Sequence, residues 1–286
     1  MRIARTIIAA LALLVTPAVS RAQYFVADSI LPERIVVKST TFGLSEINTL
    51  DTYLSGYDYT GAGLYMQHEN FRDARTGNYR WKFQTMLDAT LGYTSLGYNG
   101  QIVAMGSYSW GGYHQFITGK RLKFLTGAQI QAEGGALYIP GNGNNPVSAK
   151  LRTAIAASAM VIYSIPVMND TWTARLQVDI PLVGVMFAPE YGQSYYEIFG
   201  LGHADDILAF THPFNCPSWR QRLTLDIPLR WKHHSTTLRI AYTGDIYQSK
   251  INDIRCHIQR HAITFGMVKT ILKIKQENSI KAYSPY

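Results

Sequence analysis

Gly202-His203-Ala204-Asp205-Asp206 sets a histidine beside two carboxylates. At that spacing His203 could act as a general base, oriented by Asp205 or Asp206, and activate a water for hydrolysis. A second acidic group for such chemistry could come from Asp51 or Glu197. A polar surface loop accounts for the same residues without catalysis, and is the default reading. A second histidine, in Gln67-His68-Glu69-Asn70, would need a serine two residues on to form a nucleophile–base pair on one strand face, and Asn70 stands there. His257 and His261 share a strand face, but two ligands alone make no metal site. The expectation is therefore a non-enzymatic protein with no catalytic residue, metal or cofactor, His203 and Asp205 being the only weak catalytic candidates.

The aromatic run Gly192-Gln-Ser-Tyr-Tyr-Glu-Ile-Phe199 is the best candidate for a specific task. Tyr191, Gln193, Tyr195, Tyr196 and Glu197 could fold inward as a plug, with Phe199, or present a surface for sugar or lipid. Asp51-Thr-Tyr53 offers a similar turn, in which Asp51 can cap local backbone amides. A plainer role for both segments is to latch loops, since long ordered loops need packing of their own.

The elements that must position these residues are strands. From Trp172 to Leu182 apolar and polar residues alternate strictly, and a side-chain period of two gives one greasy and one charged face. The pattern recurs at 79–95, 148–166 and 217–232, where the apolar face begins or ends in Trp or Tyr. Nineteen tyrosines suit a membrane–water interface. Charges interrupt every later apolar run, so a membrane reading requires a closed barrel rather than helices. The fold expected is all-β: an antiparallel transmembrane β-barrel of the outer-membrane type, with ten to twelve strands. A soluble barrel with its apolar faces turned inward is the competing fold.

Strands are placed at 33–42, 61–73, 79–95, 101–117, 120–133, 148–166, 171–186, 217–232, 236–249 and 253–271. Long loops fall at 43–60, 134–147 and 187–216, all at one end, and the last could hide one more hairpin. The polar strand faces would line the lumen with Arg80, Lys82, Arg152, Arg175, Arg222 and Arg239 against Asp179 and Asp226. Crowded in this way, such charges should form ion-pair networks. Arg175-Leu-Gln-Val-Asp179-Ile-Pro181 resembles Arg222-Leu-Thr-Leu-Asp226-Ile-Pro228, and each proline suggests a bulge.

Residues 1–22 read as a secretory signal: Arg2 and Arg5 precede a short apolar run, with Ser20 and Ala22 small before a cut at Gln23. Residues 23–286 then form a single barrel domain. It carries 24 basic against 19 acidic residues, and these alternate along strands rather than forming a nucleic-acid stripe. Cys216 and Cys256 face an oxidising compartment. They are placed two strands apart, about 10 Å, and a disulfide between them is left open.

The segments Asp51-Thr-Tyr-Leu-Ser55, Tyr59-Thr-Gly61, Pro189 to Phe199 and Pro217 to Pro228 resemble a domain-of-unknown-function family of exported, barrel-like proteins from Bacteroidetes. The resemblance covers essentially all of 23–286 and is most specific at Tyr191-Gly-Gln-Ser-Tyr-Tyr-Glu197. It implies an outer-membrane location and supplies no catalytic residue or substrate. The expected role is an envelope protein that presents loops or passes a small solute. Its partners would be outer-membrane lipid and the barrel-assembly machinery, with no nucleic acid and an unspecified small ligand. Alternatives are a barrel enzyme hydrolysing lipid or peptide at the outer surface, and a soluble periplasmic lipid-binding barrel.

Overall fold

The computed structural model describes residues 34–273 apart from 75–79, 118–120, 144, 169, 204, 232 and 233. The expected signal segment 1–22 lies outside them. Among the described residues there are eleven strands: β1 (Arg34–Asp51), β2 (Ser55–Asp73), β3 (Trp81–Leu96), β4 (Asn99–Ile117), β5 (Leu122–Tyr138), β6 (Val147–Val167), β7 (Asp170–Phe187), β8 (Leu208–Thr211), β9 (Ser218–Trp231), β10 (His234–Ile251) and β11 (Ile254–Lys273). A short helix, α1 (Tyr195–Phe199), precedes β8.

Ten of these strands close an antiparallel barrel. Consecutive neighbours pair throughout, β6 pairs β7, β7 pairs β9, and β1 closes on β11 from Arg34↔Lys273 to Asp51↔Cys256. β8 is a four-residue strip on the upper part of β7 and adds no hairpin to the wall. "Upper" here means the end that carries the β7–β9 connection.

The strands tilt strongly. Following paired residues from Ile47 through Arg260, Asp245, Arg220, Asp179, Ser158, Gly127, Tyr113 and Lys82 to Asp73 leads back to β1 beside Ile35, about a dozen residues lower. At this stagger and strand number the lumen is narrow and side chains can fill it.

Burial decides which face is wet. Leu44, Leu64 and Ile263 are 67%, 66% and 58% exposed, whereas Gln177 and Asp179 are fully buried and Arg222 is 1% exposed. A soluble protein with this inversion would give up its main driving force for folding. The apolar residues face outward and the polar ones inward, as in a transmembrane barrel, and the inward-facing apolar alternative fails. On β3 the outward run begins at exposed Trp81 and ends at exposed Tyr93. At a tilt near 40° that spans about 30 Å, a bilayer thickness with an aromatic at each margin.

Several boundaries differ from the expectation. The segment 43–60 is no loop: β1 and β2 run through it and meet in a turn at Thr52–Leu54. Its outward residues include Glu46, Asn48, Asp58 and Thr60, so both strand faces are polar and the alternation vanishes there. The loop expected at 134–147 shrinks to 139–146 for a related reason: Gly134, Gly135 and Ala136 are too small to show a period. Only 188–217 is long, and Asn252–Asp253, both at positive φ, make a two-residue hairpin turn at the same end. The register slips by one residue at Ile155/Ala156, opposite Pro181, as expected of that proline. Pro228 pairs with Thr237 without a slip.

Candidate functional site

The polar interior is the first constellation the fold assembles. Arg220 reaches Asp88 and Glu133, each at 3.1 Å, and Asp245 at 2.7 Å; Asp245 also binds Arg260. Lower down, Glu69 takes Arg175 at 2.7 Å together with Arg239, and Asp226 binds Arg239 at 2.6 Å. Asp179 receives Arg222 and Ser158, each at 2.5 Å, and Gln177 at 2.9 Å. Arg152 pairs with Glu133 at 2.8 Å, and Lys82 pairs with Asp73 near the lower end.

The lumen charges expected from sequence thus face inward, with one correction. Arg80 is exposed just before β3 begins, because the strand starts at Trp81, two residues later than its alternation suggests. Glu69, Glu133 and Arg260 carry network bonds that the alternation did not reveal. Glu69 and Arg260 sit between outward polar residues, His68 and Asn70, Gln259 and His261, while Glu133 sits between Ala132 and Gly134. In each case the contrast that marks a face is missing.

Over this interior lies the latch. Tyr53 is buried in the β1–β2 turn and donates its hydroxyl to the Gln193 carbonyl at 2.7 Å. Burial pushes that hydroxyl up to about 12, so it stays a donor at neutral pH. Tyr195 lies 5.9 Å from the Tyr53 ring, stacks with Phe187 and Phe199, and accepts the Ala149 N–H at 2.6 Å. Asn142 ties the β5–β6 loop to the Leu54 carbonyl, and Asn252 ties the β10–β11 turn to the Ala188 carbonyl. Beneath the latch Asp51 is buried 2.7 Å from Lys150, which makes it a strand-end partner of the lumen rather than a loop residue. Of the expected plug candidates, Tyr195 packs in this aromatic cluster, whereas Tyr196, one step round the helix, is 71% exposed.

His203 and Asp205 line an open surface pocket of about 400 Å3 with Glu190, Tyr191, Gln193 and Glu197. Ser194 and Glu197 form a reciprocal cap of α1, the Ser194 N–H donating to the Glu197 carboxylate at 2.7 Å. That amide, then the Ser194 hydroxyl, holds the Glu197 carboxyl below the usual glutamate range. Gln193 donates to the His203 carbonyl at 2.9 Å and accepts from the Glu190 N–H, so it fastens the pocket floor. No side-chain bond joins His203 to Asp205 or Glu197 among the described residues, and no metal-binding cluster is present among them. Cys216 and Cys256 are free, buried thiols. β10 runs between them, with Ser249 beside Cys256, which keeps their backbones too far apart to bridge.

The sequence matches, over residues 6–278, the family described as Protein of unknown function (DUF3316). The chain belongs to this family. No curated protein matches it. Among solved structures it is similar to the outer membrane protease OmpT from Escherichia coli, at 7% identity and a TM-score of 0.46, covering 85% of this chain and 98% of that one. It is also similar to the translocator domain of the autotransporter NalP from Neisseria meningitidis (9%, 0.38, 91% and 95%). A third is Neisserial surface protein A (10%, 0.32, 82% and 95%). At such identities the likeness concerns the fold alone, and the function of this family member has to be argued from its own interior and mouth.

Proposed function

We propose that this protein is a closed, non-enzymatic outer-membrane barrel that carries its β7–β9 loop on the outer surface of an envelope. The observation behind this reading is the filled lumen under a latched mouth. Cavities among its side chains, such as that beside Arg152 and Tyr247, hold about 20 Å3, room for one water. A solute would have to break several buried ion pairs to pass. The outward apolar wall supports lipid as the surrounding medium, and a barrel of this kind needs assembly machinery to insert. Residues 1–22 would serve as its cleaved export signal. The long connection at the upper end would face outward, with short turns toward the periplasm.

The test is electrical. The purified barrel, reconstituted in planar phospholipid bilayers, is expected to show no steady conductance, and a stable ion-selective current would sink the closed reading. Loss of any hydrolytic activity on His203→Ala substitution would sink the non-enzymatic part.

A further inference from the structure

The lipid-facing wall carries a polar band near its upper end. Along β11 the outward residues, from the top, are Arg255, His257, Gln259 and His261, and only then Ile263, Phe265 and Met267. The neighbouring strands change over at the same level. β1 presents Asn48 and Glu46 above Leu44 and Phe42, with Glu46 directly opposite His261. β10 presents Lys250 directly opposite Arg255, both exposed. Three adjacent strands therefore carry a polar band over an apolar base.

The band is built rather than merely polar. The Tyr242 hydroxyl and His261 Nδ1 lie 2.8 Å apart, with their rings stacked at 14°. His257 Nε2 lies 2.7 Å from Asn48 Oδ1 and 3.0 Å from Asp58. Gly244, opposite His261, lets the Tyr242 hydroxyl and the Gln221 amide close over its backbone: a Cβ there would stand 3.0 Å and 3.1 Å from them. No acceptor for the Lys250 ammonium or the Arg255 guanidinium is present among the described residues.

We propose that this face of β1, β10 and β11 binds a phosphorylated glycolipid of the outer leaflet. The three layers match the three parts of such a molecule. The Lys250–Arg255 pair takes a phosphate by charge-assisted hydrogen bonds. The His257, His261 and Tyr242 band takes sugar hydroxyls, which need donors and acceptors side by side. Ile263, Phe265, Leu44 and Phe42 take the acyl chains. A second copy of the chain fits less well, since a two-fold contact over this face would bring one cation pair toward another. The proposal rests on the outer-membrane reading above.

Heat-modifiable migration and extraction only by detergent are established first. If they fail, the membrane reading falls before any lipid is added. The folded barrel is then placed in phosphatidylcholine nanodiscs doped with a diphosphorylated, acylated glucosamine disaccharide, and retained lipid is counted by native mass spectrometry. The disaccharide lipid is expected to stay bound, with retention falling about tenfold or more in the Lys250→Ala/Arg255→Ala protein. Tyr242→Phe should lower its retention severalfold and leave phosphatidylglycerol retention unchanged. Retention of phosphatidylglycerol equal to that of the disaccharide would overturn the proposal. So would retention indifferent to all three substitutions, or a dimer that excludes the lipid.

Discussion

Asp179 shows how narrow the margin is for a single residue in this lumen. Its carboxylate is fully buried and takes bonds from Arg222, Ser158 and Gln177, while Arg222 keeps Nε and Nη2 without a partner. Asp179→Ala would strip Arg222 of its anion and should cost about 3–5 kcal/mol, the usual penalty for breaking a buried pair from one side. Pairing it with Arg222→Met should restore most of that loss, because the uncompensated charge goes too. Both variants are read as the urea or heat midpoint of gel migration in detergent. Equal losses in the single and double variants would show that packing, not charge, governs the site. At the mouth, Glu197 gives a pH signature. Its folded-state carboxyl lies below the ordinary range, so the cap contributes fully above about pH 4.3 and is lost as the pH falls further. Protease nicking of the 188–217 loop should therefore rise on acidification below that point in the wild type. In Glu197→Gln the nicking should lack this dependence.

At the level of elements, closure of β1 on β11 is a demanding contact. Gly43 and Gly266 both lie in that seam, and a Cβ at either would stand 1.9 Å from a carbonyl of the facing strand, Ile263 or Thr40. Backbone cannot yield that distance locally, so Gly266→Val should hinder closure and cost about 1–3 kcal/mol by overpacking. The yield of heat-resistant barrel after refolding checks this, and a wild-type yield would show that the seam is looser than its geometry. The strands themselves were legible wherever the two faces differ in polarity, as on β3, β7 and β9. They were illegible where both faces are polar, as along Ser45 to Asp51, or where one face is built of Gly and Ala. The same loss of contrast that disguised β1 as a loop produced the polar band on the outer wall. A failure of alternation in a membrane strand can thus mark a place where the wall meets something other than acyl chains.

For the molecule as a whole, the sequence carried the barrel and the inward charge, because a period of two is a local property that each strand writes in its own residues. It also carried the one long loop and its aromatic stretch. The exact strand number was not local: it required knowing that β8 is a strip on β7 rather than half a hairpin. Nor could pairing choose which face is lipid-exposed without burial, since alternation is the same read from either side. Tertiary structure alone decided the partners. Arg175 and Arg222 each share a strand face with an aspartate four residues on, yet Arg175 binds Glu69, 106 residues away, and Asp179 binds Arg222, 43 residues away. The physical reason is the barrel's stagger. Each strand is displaced along its neighbour, so charges meet across a narrow lumen at heights that depend on all ten strands together.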